Sequence, residues 1–415
     1  MADSTNQTQK RRALVTGGAH GIGRAVCMRL AADGYAVAVA DIASDEAARL
    51  ARLMGIGHVA LAVDLADPQA AGELPAKAAE ALGGLDVVIN NAGVTDSSGR
   101  TLVDLPQAAI AHMVAINLTA VEQIAKAAGA ILKPGSCIVN LASGAAYRAL
   151  ALRGPYSATK AGIVALTRAL AEEFEPRGIA VAAVAPGYTA TPLVEELERT
   201  ARVDLSAVAA GIPLGRLARP EDIASAVAFA ASAEGGGING QTLIVDGGGM
   251  MGSAPKAAGP AKGTKTEGAI VLLGATGEMD LGIAGVVARA RLDATGPLSS
   301  VIDASALACD RSPAETLDTA LATARACAAA PDRTADFSLV YVIAEGVSPS
   351  GRAAAAALGM LSRTLALEWA RSGIRVNSIL WCGKPHRRLG AVCRFLTGAD
   401  ASYITGQTVH AGDTL

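Results

Sequence analysis

The stretch Ala13-Leu14-Val15-Thr16, running straight into Gly17-Gly18-Ala19-His20-Gly21-Ile22-Gly23, constrains the fold of this chain more than any other. The apolar run bounded by glycines reads as a short buried strand, and Arg24 to Ala32 reads as a helix. Strand, glycine-rich turn and helix in that order suit one task. The glycines let the backbone approach a pyrophosphate, and the helix N-terminus presents unpaired N–H groups at its positive dipole end. An ordinary tight turn is the alternative, and the flanking elements argue against it. Gly17, His20, Gly21, Ile22 and Gly23 are therefore candidate dinucleotide contacts.

The pattern then repeats. Tyr35 to Ala40 reads as a second strand ending in Asp41, close to the separation expected for a ribose contact. An acid there accepts from a 2′-hydroxyl and repels a 2′-phosphate, which favours NAD(H) over NADP(H). His20 works against that preference, since a basic residue could receive the phosphate. Val59 to Val63 leads to Asp64 and Leu65, and Leu85 to Ile89 leads to Asn90-Asn91-Ala92-Gly93. Cys137 to Ala142 delivers Ser143, and Ala180 to Ala185 leads to Pro186-Gly187-Tyr188-Thr189-Ala190-Thr191-Pro192. Strands alternating with helices imply an α/β fold with a doubly wound parallel sheet. Ligands of such sheets bind at the carboxyl ends of the strands, where Ser143 falls.

Tyr156-Ser157-Ala158-Thr159-Lys160 follows a Gly154-Pro155 break and opens an apolar-periodic run, Ala161 to Phe174, that reads as a helix. Residues four apart share a helical face. A tyrosine of pKa about 10 needs roughly three units of help, or about 4 kcal/mol, to act as a base at neutral pH. A nearby ammonium and an oxidised nicotinamide could supply it. A substrate hydroxyl held between Ser143 and Tyr156 could then lose its proton while hydride leaves for the cofactor. Alone, such a pair is more often a solvent face, and a lone serine more often a strand-end cap.

The glycine turn, the Asn-Asn-Ala-Gly turn, a helical Asn117, Ser143 and the Tyr156/Lys160 pair occur in order. Over residues 12 to 250 the chain resembles the short-chain dehydrogenase/reductase superfamily, whose fold is of the Rossmann type. The resemblance implies that Tyr156 is the general acid/base and that Ser143 hydrogen-bonds the substrate oxygen. Lys160 would hold the nicotinamide ribose and lower the Tyr156 pKa, and Asn117 would kink its helix and order a proton relay. Asp64 would touch the adenine amine beside Leu65, and Asn91, Ala92 and Gly93 would line the groove. The turn with Pro186 and Gly187 would hold the carboxamide through the Thr189 backbone and the Thr191 side chain. Val194 to Arg219 would form a helical lid over substrate, with Ala145, Tyr188 and Leu193 shaping specificity. Arg148 and Arg153, between Ser143 and Tyr156, would suit a carboxylate, sulfonate or phosphate on the substrate; solvated loop charges are the plainer reading of both.

The second half repeats the first. Ser362-Arg363-Thr364-Leu365-Ala366 matches Thr167-Arg168-Ala169-Leu170-Ala171 at an offset of 195, and Ile404 to Val409 matches Ile238 to Leu243 at an offset of 166. The difference of 29 residues is read as a deletion of the lid in a duplicated unit. In the copy Tyr156 becomes Gly351 and Lys160 becomes Ala355. Ser143 is expected to become Glu345, and Gly21 and Gly23 to become Glu278 and Asp280. Asp303 is expected to echo Asp41 or Asp64, and a strand-helix unit with the Asn-Asn-Ala-Gly counterpart is expected to be missing. The expected organisation is a disordered tail at 1–12, a catalytic domain at 13–250, a linker at 251–268 and a degenerate, non-catalytic domain at 269–415. Because subunits of the superfamily commonly pair through the Tyr/Lys helix, the copy is expected to supply a pseudo-subunit interface through Ala353 to Ala370. A homodimer would then be a pseudo-tetramer, with a homotetramer as the alternative.

Composition sets the remaining limits. A net charge of −2, from 36 basic and 38 acidic residues, argues against nucleic-acid or anionic-membrane partners. No apolar run is read as long enough to span a bilayer. Six scattered cysteines, without Cys-x-x-Cys spacing, suit reduced thiols and no metal site, and a cytoplasmic location is expected. The expected function is NAD(H)-dependent interconversion of a secondary alcohol and a ketone on a small polar substrate. An NADP(H)-dependent 3-oxoacyl-thioester reductase and a dinucleotide-sensing scaffold are the alternatives.

Overall fold

The computed structural model describes the chain except residues 1–9, 97, 200–202, 256–258, 266, 275–280, 282, 284–285, 290–291, 293–295, 308–311, 345, 347, 383–386 and 413–415. The side chain of Leu193, and Glu278, Asp280 and Glu345, thus lie outside the described residues.

The N-terminal half holds a seven-stranded parallel sheet of order β3-β2-β1-β4-β5-β6-β7. Its strands are β1 (Arg12–Thr16), β2 (Ala36–Asp41), β3 (Val59–Ala62), β4 (Val87–Asn90), β5 (Cys137–Leu141), β6 (Ala180–Pro186) and β7 (Thr242–Val245). Fully buried strands such as β4, β5 and β6 carry apolar residues on both faces, as a sheet covered by helices on each side requires. Helices α1 (Gly21–Ala32) and α9 (Pro220–Ala231) pack together on one face, and α3 (Pro68–Leu82) and α5 (Ala120–Ile131) pack on the other. Between them in the chain run α2 (Ser44–Met54), α4 (Gln107–Val114), α6 (Gly154–Phe174), α7 (Pro192–Arg199) and α8 (Leu205–Gly211).

Two expectations shift at this level. Arg11 and Arg12 do not belong to a disordered tail. Arg12 opens β1 and binds the Asp86 carboxylate at 2.8 Å, and Arg11 donates to the Ala231 and Gly135 carbonyls. Residues 107–131 form one helical run of 25 residues, long and apolar enough by length and composition to cross a membrane. Polar Asn117 and Thr119, with charged Glu122 and Lys126, interrupt the apolar pattern and hide this run in the sequence. The run packs on α3 and α6.

The C-terminal half forms a second parallel sheet, of six strands, with the order β13-β12-β11-β10-β8-β9. These are β8 (Ala269–Leu273), β9 (Val286–Arg289), β10 (Leu298–Ala306), β11 (Arg333–Ala344), β12 (Arg375–Cys382) and β13 (Thr408–Gly412), with α10 (Pro313–Ala329), α11 (Pro349–Trp369) and α12 (Arg387–Thr397). Their order matches β2-β1-β4-β5-β6-β7 of the first sheet, which suggests a duplicated part that lacks β3. The match is close in detail: α11 has the bounds of α6 plus 195, and Gly178 and Gly373 both follow at left-handed φ of 67° and 75°. Residues 187–219 between β6 and α9 number 33, whereas residues 383–386 between β12 and α12 number 4. The expected loss of 29 positions therefore removes the segment that carries α7 and α8.

The register corrects two assignments in this half. Leu141 pairs with Val184 and Val342 pairs with Ile379, so at the 195 offset Ala344, not Glu345, takes the place of Ser143. Asp303 lies beside Leu273 on β10 and echoes Asn90, not Asp41 or Asp64. A Cβ on Gly274 would lie 2.5 Å from the Ser305 Cα, just as one on Gly17 would lie 2.8 Å from the Ala92 Cα. The Asn-Asn-Ala-Gly position is thus retained in space without its residues.

The segment expected to be a linker is laid along the second half. Met251 enters its core, Lys265 bridges to Thr334, and Arg333 donates to the Ala261 carbonyl at 2.7 Å. The halves meet through α9 and α12, not through the Tyr/Lys helix and its copy; α11 packs on α10 and β12. Phe229 of α9 stacks on Phe395 of α12 with centroids 4.0 Å apart, and the two are equivalent at the 166 offset. The short turn after α12, Ala399–Ala401, packs on α9, while α12 packs on the equivalent Ala233–Ile238 turn. The contact is therefore isologous, a two-fold pairing within one chain. Arg29–Asp400 at 2.8 Å and Arg394–Glu234 at 3.4 Å lie at its rim.

Candidate active site

The carboxyl ends of β1, β4, β5 and β6 converge on one cleft. At its base Gly17 has φ 61°, and a Cβ on Gly23 would collide with the Gly17 carbonyl oxygen, so both positions require glycine. The Asn91 side-chain amide donates to the carbonyls of Thr16 and Gly17 at 2.9 and 3.0 Å. The Thr16 hydroxyl accepts from the backbone N–H groups of Asn91 and Ala92. Two motifs far apart in the chain thereby form one cradle in which no side chain fills the space above the turn.

Gly17, His20, Gly21, Ile22 and Gly23 line this cleft with Asn91, Ala92 and Gly93. Ser143, Tyr156, Lys160, Pro186, Gly187, Thr189 and Thr191 complete it. Asp41, Asp64 and Leu65 lie outside that lining, further along the strand ends. Asp41 accepts from the Ala19 and Ala43 N–H groups, so its carboxylate is fixed where β2 meets the glycine turn. Ile42 beside it is 72% exposed and offers no positive charge. Asp64 is exposed and accepts from Ala66 N–H, and Leu65 packs against the core on the α3 side. The cradle, the fixed acid and the lining residues fit a nicotinamide dinucleotide.

At the far end of the cleft the helix α6 opens at Gly154, earlier than the apolar run indicated, because Pro155 needs no N–H partner in a first turn. Tyr156 therefore stands on the helix itself. Burial pushes its phenol above the ordinary value, while the nearby Ser143 hydroxyl and the Arg153 guanidinium pull it down. The Ser143 Oγ also accepts from Ala145 N–H at 3.1 Å. Lys160 follows one turn later on the same helix. Its Nζ lies 5.8 Å from the Tyr156 ring centroid and donates to the Leu141 carbonyl at 2.7 Å. Burial pulls the ammonium itself down to about 8. Asn117 sits in a π-helical turn, Ala115–Thr119, between α4 and α5. Its side chain exchanges two 2.8 Å hydrogen bonds with the Val94 backbone, and its Nδ2 reaches the Thr159 hydroxyl at 3.3 Å.

A second pocket opens from the first across Ser143 and Tyr156. All five tentative substrate residues line it: Ser143, Ala145, Arg148, Arg153 and Tyr188. Arg153 donates to the Thr95 hydroxyl at 2.8 Å, whereas Arg148 is exposed. Its outer wall comes from α8 and from the turn after β7, where Asp246 accepts from Gly248 and Met250 N–H and burial pushes its carboxyl up. Thr16, Thr95, Leu141 and Asp246 were not singled out from the sequence. Only Asp246 carried a signal, the Asp-Gly-Gly turn closing a strand; the others act through contacts no spacing reveals.

Comparison with known proteins agrees with this geometry. A family model described as enoyl-(acyl carrier protein) reductase matches residues 17–249. An uncharacterized short-chain type dehydrogenase/reductase of Sinorhizobium fredii is 38% identical over 285 residues, covering 65% of this chain and 52% of that protein. The chain thus spans about half the length of that relative. The cis-4-hydroxycyclohexanecarboxylate dehydrogenase of Sinomonas cyclohexanicum is 42% identical, covering 58% of this chain and 96% of the relative. Among solved structures, a short-chain dehydrogenase from Burkholderia cenocepacia in complex with NADP superposes with a TM-score of 0.53 at 35% identity, covering 57% of this chain and 96% of that one. The site and fold define a nicotinamide-dependent oxidoreductase class. The chain belongs to the short-chain dehydrogenase/reductase superfamily.

Proposed function

We propose that the N-terminal half interconverts a secondary alcohol and a ketone, with NAD(H) as cofactor and a small polar, anionic substrate. The observation that carries this is the position of Ser143 and Tyr156, which line both the dinucleotide cleft and the second pocket where the two meet. The nicotinamide, when bound, exchanges the hydride. Ser143 orients the substrate oxygen and Tyr156 takes or returns its proton. Buried Lys160 holds a positive charge beside Gly93 at the ribose end, and Asn117, locked on Val94 and touching Thr159, steadies the back of the α6 turn. Gly17, His20, Gly21, Ile22, Gly23, Asn91, Ala92, Gly93, Pro186, Gly187, Thr189 and Thr191 bind the cofactor, with Asp41 and Asp64 at its adenosine end.

Asp41 supports NAD(H), because a fixed carboxylate beside exposed Ile42 would repel a 2′-phosphate. Exposed Arg148 at the second pocket supports a substrate carboxylate, the group carried by the substrate named for the Sinomonas relative. The second half is read as non-catalytic, and the assembled form as two chains arranged like four subunits. A screen of alcohols and hydroxy acids with NAD and NADP, run on wild-type and Tyr156→Phe chains, tests the reading. Turnover that survives Tyr156→Phe undiminished would refute it.

A further inference from the structure

The outer wall of the second pocket belongs to the N-terminal half, but it is held from the C-terminal half. Gly247, at φ 63°, is wedged between the Tyr403 ring and Ile212; a Cβ there would lie 2.7 Å from Tyr403 Cζ and 2.9 Å from Ile212 Cγ2. Gly247 N–H donates to the Tyr403 carbonyl at 3.2 Å, and Leu214 N–H donates to the Gly247 carbonyl at 3.2 Å. The Tyr403 hydroxyl donates to the Arg216 carbonyl at 2.6 Å, and the Arg216 guanidinium lies 4.3 Å from its ring centroid. A second strut comes from Arg371, whose Nη2 donates to the Ala210 carbonyl at 2.6 Å, in the last turn of α8. That carbonyl is one of the terminal acceptors a helix leaves unpaired.

Helix α8 needs such support. It spans seven residues, none of them fully buried, and Val208 is its one side chain packed against the core, so its length and its own packing hold it only weakly. Yet Val208 and Gly211 on it, with Ile212, face Ser143 and Tyr156 across the pocket. We infer that the C-terminal half serves as a built-in neighbouring subunit that positions the substrate-binding wall, with Tyr403 and Arg371 as its positioning residues. This rests on the reading that the second pocket receives the substrate. The residue equivalent to Tyr403 in the first half is Gly237, so the support runs one way only.

Steady-state kinetics on full-length Tyr403→Phe and Arg371→Met chains test the inference, using the best alcohol from the screen. Each substitution removes one hydrogen bond and keeps most of the side chain. The Michaelis constant for the alcohol should rise about three- to tenfold in each, the scale of a single lost bond. The values of kcat and of the dissociation constant for NAD(H) should stay within about twofold, as loss of uniform binding requires. Asp400→Asn, which breaks the rim ion pair to Arg29, a residue outside the pocket lining, should leave all three unchanged. Unmoved Michaelis constants in both variants, or a common fall of every parameter that Asp400→Asn reproduces, would overturn the inference. A wild-type chain without Tyr156-dependent turnover would instead sink the functional reading on which it stands.

Discussion

Helices α6 and α11 have the same length, the same place in their sheets and the same left-handed glycine after them, yet only α6 carries a tyrosine and a lysine one turn apart. Their buried faces are equivalent: Ile163, Thr167, Leu170, Ala171 and Phe174 face the core in one, and Leu358, Ser362, Leu365, Ala366 and Trp369 in the other. The difference lies at Tyr156 and Lys160 against Gly351 and Ala355. Packing needs only the first set. A lysine buried to 4% exposure, and pulled down to about 8 by that burial, is a liability for the fold. The equivalent position of α11 carries alanine, Ala355, instead.

That contrast can be broken most directly at Tyr156. Tyr156→Phe should lower kcat/KM by about a thousandfold, within the range of general acid–base catalysis, with NAD(H) binding retained by titration. Restoring tyrosine and lysine at Gly351 and Ala355 in that background should recover nothing, because Ala344 stands where a serine is needed. The two-fold contact comes next. Phe395→Ala should destabilise the chain by about 3 kcal/mol in denaturant melts, the usual scale for an aromatic lost from a packed core.

Lys160 sharpens the comparison in a different way. Its folded value, about 8, lies below the ordinary value of about 10.4, so the unfolded chain binds more protons between these limits. Wild-type stability should therefore rise as pH climbs through that window, and the penalty is full below it. Lys160→Met should flatten the slope and raise Tm at pH 7 while it abolishes turnover. Asp41→Ala should improve the preference for NADP over NAD by about tenfold, read as a ratio of kcat/KM values. The smallest effect belongs to the rim: Asp400→Asn should cost under about 1 kcal/mol, as exposed ion pairs do.

Much of the first sheet could be read from the chain because each strand end was marked. Glycines, Asp41, the Asn-Asn-Ala-Gly turn and Ser143 fall at the carboxyl ends, where backbone geometry demands particular residues. The site residues that escaped notice, Thr16, Thr95 and Leu141, contribute a hydroxyl or a carbonyl at a point set by packing. Register in the second sheet escaped for a related reason. Apolar strands such as β11 look alike when slid by one residue, and only the pairing with β12 replaces Glu345 with Ala344.

Local demands on the backbone determined what the sequence could establish alone: a wound parallel sheet, a dinucleotide cradle, a tyrosine and lysine on one helix, and a second half stripped of those groups. Each rests on residues close together in the chain, where φ, helical spacing and turn chemistry act directly. Tertiary structure alone decided how the two halves use each other. The retained helix suggested one interface, but Phe229 and Phe395 meet on a different face, and Tyr403 reaches the wall of a pocket in the other half. Such contacts depend on shape and burial across long separations, and no spacing in the chain encodes them.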